Sequence, residues 1–153
     1  MDCIKVALVA GASSGIGLAF VSHILKLNKH TVVYATYRDN SAAGDLLKMK
    51  ETNFSSRLIL LQLSANDERD FERVAATISQ SNKKIDIVIN CIGYLSGESG
   101  GPEKRLTDIS MDHLQKSFVA NSISVAMLAK HLFPFLKNPS PAVFASLSAR
   151  VGS

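Results

Sequence analysis

The chain has 153 residues, 46% hydrophobic and 20% charged, with a formal net charge of +4 at pH 7. That length suits one domain with a real core, and the balance excludes general disorder. Its basic residues are scattered, pairing only at Lys83-Lys84 and Lys104-Arg105 without interleaved aromatics, which argues against a nucleic-acid partner.

The first apolar run, residues 4–10, contains Val6-Ala7-Leu8-Val9-Ala10 and reads as a buried strand. It feeds into Gly11-Ala12-Ser13-Ser14-Gly15-Ile16-Gly17, and a helical pattern covers 15–28. Strand, glycine turn and helix start, in that order, build a pocket for a pyrophosphate. Gly11 and Gly15 let the backbone turn tightly near the phosphates, and Gly17 lets the helix pack hard against the strand. The helix start offers unpaired N–H groups and partial positive charge to the anion. The spacing is G-x-x-x-G-x-G, a variant of the commoner G-x-G-x-x-G fingerprint.

A second strand is expected at 31–36. In dinucleotide folds an acidic residue about 20 positions past the glycines binds the ribose 2′-hydroxyl of NAD. Counting from Gly17 reaches Tyr37, and the next residue is Arg38, a positive fork suited to the 2′-phosphate of NADP. NADP is therefore expected over NAD. Asp39 keeps NAD open, and a plain surface arginine is the rival reading of Arg38.

Further strands are expected at 57–63, 85–90 and 142–147, and helices at 41–51, 67–80 and 110–136. This alternation predicts an α/β doubly wound parallel sheet with five strands in the order 3-2-1-4-5. Its ligand crevice should open at the carboxyl ends of the first and fourth strands. The Gly/Ser-rich stretch 93–101 reads as a loop. In the last helix Met111, Leu114, Phe118, Val125, Leu128 and Leu132 recur at three- and four-residue spacing. Ser110 is its expected N-cap, Pro134 should end or kink its last turn, and Asn121 is an unfavourable residue in its middle.

No apolar stretch is expected to reach the ~18 residues of a membrane helix, so a membrane partner is not expected. Cys3 and Cys91 read as free thiols in a reducing compartment, and the expected location is the cytoplasm. His23, His30, His113 and His131 show no ligand spacing and read as solvated or structural, with no metal site expected.

Together these features resemble the short-chain dehydrogenase/reductase family, over the whole chain. Asn90-Cys91-Ile92-Gly93 is similar to the family's Asn-Asn-Ala-Gly at the end of the fourth strand. Asn121-Ser122-Ile123 through Leu132-Phe133-Pro134 resembles the helix carrying the active-site asparagine. Ser146 through Gly152 resembles the segment of the catalytic serine, and its Ser-Ala-Arg-Val-Gly-Ser tail looks most like small bacterial reductases related to the C-factor signalling protein.

The resemblance implies an NADP-dependent oxidoreductase acting on a small carbonyl or alcohol, a Rossmann domain over 1–153, and cofactor contacts from Gly11, Ser13, Ser14, Gly15, Ile16, Gly17, Arg38, Asn90 and Gly93. Asn90 would tie the central strands together, Gly93 would lie beside the nicotinamide ribose, and the Asn121 carbonyl would hold a water in a proton relay. Ser148 is the implied catalytic serine, one step earlier than the family position, which is Ala149 here; Ser146 and Ser153 are alternatives. Ala10 and Ser64 also depart from the family's threonine and aspartate. The family's Tyr-x-x-x-Lys segment lies downstream of the serine, so the chain is expected to be a C-terminally truncated domain with little turnover alone. The alternative is a catalytically inactive protein that binds a dinucleotide or a partner. The helix at 110–136 forms subunit contacts in relatives, which implies a possible homo-oligomer.

Overall fold

Every residue of β1 (Val6–Ala10) is buried, because this strand lies at the middle of a sheet covered on both faces. The computed structural model describes residues 4–52, 54–95, 103–137 and 141–149. In chain order, β1 is followed by α1 (Gly15–Leu27), β2 (Val32–Tyr37), α2 (Gly44–Lys50), β3 (Leu58–Gln62) and α3 (Glu68–Gln80). Then come β4 (Ile87–Asn90), α4 (Met111–Phe118), α5 (Ser124–Leu136) and β5 (Val143–Ser146). The sheet order is β3-β2-β1-β4-β5 with all neighbours parallel, the doubly wound arrangement that the sequence predicts. Cys3, Arg150 through Ser153 and most of the 93–101 loop lie outside the described residues.

The period of two along β1 divides the core. Val6, Leu8 and Ala10 pack with Phe71, Val74 and Ile78 of α3 and with Leu128 and Leu132 of α5. Ala7 and Val9 face the other way, toward Val21, Ile24 and Leu25 of α1 and Leu46 of α2. Each fully buried leucine contributes about 1.5–3 kcal/mol of transfer free energy. Arg57, at the start of β3, donates to the carbonyls of Leu25 (3.1 Å), Asn28 (2.9 Å) and Thr31 (3.0 Å), capping the end of α1.

The segment 110–136 is not one regular α-helix. Ser110 caps α4, accepting the His113 N–H at 3.2 Å, but residues Val119–Ile123 form a π turn. Ser124 N–H reaches back five residues to the Val119 carbonyl, and the buried Ser124 hydroxyl donates to the Ala120 carbonyl at 2.5 Å. One extra residue in a turn rotates the remainder of the helix by about 100°. The single apolar face expected from the sequence is therefore split: Leu128 and Leu132 are buried, whereas Met111, Leu114 and Phe118 are 71%, 51% and 63% exposed. Pro134 stands in the last turn of α5, which runs on to Leu136; its carbonyl accepts from Lys84 Nζ at 2.9 Å.

Taken as one helical stretch, Met111–Leu136 is 26 residues long and apolar enough to cross a membrane by length and composition. This corrects the expectation that no stretch reaches that length, because the average tolerates Asn121, Lys130 and the serines that interrupt it. Only its α5 part packs into the layer, with Ser124, Leu128 and Leu132 buried, whereas α4 buries no residue.

Candidate functional site

The glycine turn leaves β1 at the top of the sheet. Gly11 has φ +73°, and a Cβ there would lie 2.8 Å from Ile92 N and 2.9 Å from the Cys91 carbonyl carbon. Gly11 is thus required by the loop after β4, which crosses beside it, as much as by the turn. Thr36 of β2, a buried residue the sequence reading passed over, fixes the turn from the other side. Its hydroxyl accepts the Gly11 N–H at 3.1 Å, and its carbonyl accepts the Ala12 N–H at 2.7 Å. Gly17 is needed for packing: a Cβ would collide with the Gly11 carbonyl, 2.9 Å from its carbon.

Gly15 differs from both. It has φ +53°, and nothing lies within 4 Å of where its Cβ would stand. Ser14 is the extended N-cap residue of α1, and its hydroxyl makes no capping bond. The first backbone bond of the helix is Leu18 N–H to the Ser14 carbonyl, at 3.2 Å, so the amides of Gly15, Ile16 and Gly17 precede the hydrogen-bonded ladder. Open space, first-turn donors and the positive end of a helix dipole meet at one point, a cradle that fits a pyrophosphate.

A crevice of about 1140 Å³ opens there, at the carboxyl ends of β1 and β4. Gly11, Ser13, Ser14, Gly15, Ile16 and Gly17 form one wall, Arg38 and Ser64 another, and Cys91 and Gly93 a third. Ile16 is an exposed apolar side chain on this wall. Burial pushes the Cys91 thiol up, which keeps it uncharged beside the cradle. The Ser64 N–H is held by Asp70 Oδ2 at 2.7 Å.

Arg38 is exposed and pairs through Nε with Asp39 Oδ2 at 2.9 Å; its Nη groups have no partner among the described residues. Asp39 caps the short helical turn at Asn40–Ala42, accepting from the Ser41 hydroxyl and from the Ala42 N–H at 3.1 Å. The Ser41 and Arg38 bonds and the Ala42 amide hold its carboxyl at about 2, below the ordinary 3.8. Asp39 is occupied as a cap and does not border the crevice, whereas Arg38 does.

Asn90 is buried at the end of β4 and does not itself border the crevice. Its Nδ2 donates to Ser146 Oγ at 3.1 Å, linking β4 to β5, and its Oδ1 accepts the Ile92 N–H at 3.1 Å. Asn121 lies in the π turn, and its side chain grips the loop after β4. Nδ2 donates to the Tyr94 carbonyl at 2.8 Å and Oδ1 accepts the Tyr94 N–H at 2.9 Å, with Gly93 adjoining. Ser148 is exposed on the segment after β5; Leu147 borders the crevice and Ser148 does not. The geometry joins the glycine turn, Arg38 and Gly93 around one space; Asn90 and Asn121 hold the loop after β4 without bordering that space, and Ser148 does not border it either.

The model of the short chain dehydrogenase family matches residues 5–152, nearly the whole chain. The chain belongs to this family. Among curated relatives it is 27% identical over 149 residues to the uncharacterized oxidoreductase YusZ of Bacillus subtilis, covering 97% of this chain and 50% of that one. It is 28% identical over 155 residues to a benzil reductase ((S)-benzoin forming) of Saccharomyces cerevisiae, covering 96% and 56%. A short-chain dehydrogenase/reductase structure from the same yeast superposes with a TM-score of 0.81 at 25% identity, over 95% of this chain and 54% of that one. An NADPH-bound carbonyl reductase from chicken fatty liver superposes with a TM-score of 0.77 at 25% identity, covering 88% and 49%. The chain spans about half the length of the curated relatives it matches. Thr36, Tyr94, Glu103 and His113 are among the crevice residues to which sequence reasoning gave no site role. Glu103 and His113 stand on separate elements, so no spacing rule connects them.

Proposed function

We propose that the chain is the dinucleotide-binding portion of an NADP-dependent short-chain dehydrogenase/reductase that acts on a small carbonyl or alcohol. The observation that carries this is the cradle at Gly15, where an empty Cβ position faces the unpaired first-turn amides of α1. When bound, the nicotinamide supplies or accepts the hydride. This chain's own residues do the holding. The amides of Gly15 to Gly17 and the Ser13 and Ser14 hydroxyls receive the pyrophosphate, and the Arg38 Nη groups receive the 2′-phosphate. Asn90 and Asn121 keep the loop carrying Gly93 in place. The NADPH-bound carbonyl reductase among the similar structures supports the choice of cofactor class. We place the protein in a reducing cytoplasm, where Cys91 remains a thiol.

Titration of NADPH and NADH against the purified chain tests the reading. Saturable binding with NADPH the tighter ligand is expected; no binding of either would overturn it. A second reading, binding without turnover, is supported by the exposed position of Ser148 outside the crevice. NADPH oxidation with a panel of aldehydes and ketones separates the two. Turnover lost in Ser148→Ala favours the enzyme, and cofactor binding without turnover favours the binding protein.

A further inference from the structure

At the mouth of the crevice Glu103 and His113 form a dyad that the phosphate contacts leave unused. His113 Nδ1 is hydrogen-bonded to Glu103 Oε1, with side-chain exposures of only 19% and 26%. Its own backbone amide first, and then the His113 bond, hold the Glu103 carboxyl below the ordinary value, and a carboxylate can only accept, so Nδ1 is the donor of the pair. In the neutral imidazole the other nitrogen, Nε2, is then the acceptor. It has no partner among the described residues. No buried side-chain nitrogen or oxygen among the described residues lacks a hydrogen bond, so Nε2 is not sealed in protein, and His113 borders the crevice.

The ring is also held in place. Tyr94 packs edge-on against it, with centroids 5.1 Å apart and planes at 61°, and the Tyr94 backbone is itself gripped by Asn121. The neighbouring charges are paired with each other: Lys116 with Asp112 at 2.7 Å, and Arg105 with Asp108 at 3.7 Å. His113 thus presents an oriented ring nitrogen on a ring held from two sides.

We propose that His113 is a ligand-binding residue of the crevice, its Nε2 accepting a hydrogen bond from an amino or hydroxyl group of the dinucleotide. The inference rests on the dinucleotide reading for the presence of that ligand and adds a recognition residue outside the glycine turn. A preset acceptor gains the bond without first losing side-chain freedom, since Glu103 and Tyr94 have already restricted the ring.

The test uses the full chain labelled with ¹⁵N-histidine and titrated with NADPH, then with adenosine 2′,5′-bisphosphate and with reduced nicotinamide mononucleotide. The His113 Nε2 resonance should move on NADPH binding while those of His23, His30 and His131 stay. His113→Phe, which keeps a ring against Tyr94, should weaken NADPH about tenfold, the scale of one hydrogen bond, and should weaken only one of the two half-molecules. That half identifies the donor. Glu103→Leu should lower affinity in the same direction by freeing the ring. If wild-type chain binds NADPH but neither the Nε2 signal nor the His113→Phe affinity changes, the inference is overturned and the dinucleotide reading stands. If wild-type chain binds neither NADPH nor NADH, both fall. Should His113→Phe fail to fold, the wild-type Nε2 shift alone decides.

Discussion

The carboxamide of Asn121 pairs with the backbone of Tyr94 in both directions, donating to its carbonyl at 2.8 Å and accepting its N–H at 2.9 Å. The Nδ2 group also donates to Ser117 Oγ at 3.1 Å. A polar residue that is a poor helix former thus occupies the π turn because it ties α4 to the loop after β4. Asn121→Ala removes all three bonds, and because the clasp is exposed to water the cost should be at the lower end of the usual range, about 0.5–1.5 kcal/mol. Urea denaturation measures this; an unchanged midpoint would mean that the clasp contributes nothing.

Arg38→Asp should reverse the preference between cofactors. Its Nη groups are free to fork onto a 2′-phosphate, a charge-assisted contact worth about 1.5–3 kcal/mol, or roughly ten- to a hundredfold in affinity. Calorimetric titration of NADPH and NADH with both proteins reads the change. An unaltered ratio makes Arg38 a surface residue only.

Gly15 and Gly17 should fail in different ways. Gly15→Val puts a branched side chain into the open cradle, so nucleotide binding should be lost while the fold survives, weakened only by the strain of its positive φ. Gly17→Ala drives a Cβ into the Gly11 carbonyl, a backbone atom with no room to move, and should destabilise the fold by about 1–3 kcal/mol. Circular dichroism melts together with NADPH titrations separate the two effects. A Gly15→Val protein that binds normally would remove the phosphate-cradle assignment.

Acid should release the turn at Asn40–Ala42. Asp39 titrates at about 2 in the folded chain against an ordinary 3.8, so its capping contribution is fully present above about 4 and disappears as the pH falls toward 2. The carboxyl carbon of Asp39, followed by NMR from pH 6 to pH 1.5, should show this depressed midpoint. In Asp39→Asn the Ala42 amide signal should lose its acid-dependent shift over the same range. A midpoint near 3.8 would show that the cap does not form.

Self-association should grow with concentration. Met111, Leu114, Phe118, Ile123 and Phe133 are exposed apolar residues along α4, the π turn and α5. β5, which pairs with β4 alone among the described residues, leaves an open edge where Val143 is exposed. Light scattering should give a mass that rises with concentration and falls toward monomer in Phe118→Asp. A constant monomer mass in the wild-type chain would count against the contact.

The sequence by itself determined the sheet. Near-continuous apolar runs such as Val6–Ala10 and Ile87–Asn90, alternating with helical periods, admit a doubly wound parallel order and little else, because right-handed crossovers prune the topologies. Local chemistry likewise marked the glycine turn, since Gly11, Gly15 and Gly17 act within a single strand-to-helix connection. Only the tertiary structure decided what depends on side chains meeting across elements. It showed that Thr36 holds the turn, that Asp39 is spent on a cap, and that Ser148 lies apart from the crevice. It also placed the π turn, which no 3.6-residue pattern can reveal because the extra residue breaks the very period being counted. Glu103 and His113 come together for the same reason that they were invisible in the chain: one lies before the short turn at Leu106–Asp108, the other inside α4, and only folding brings an imidazole to its carboxylate.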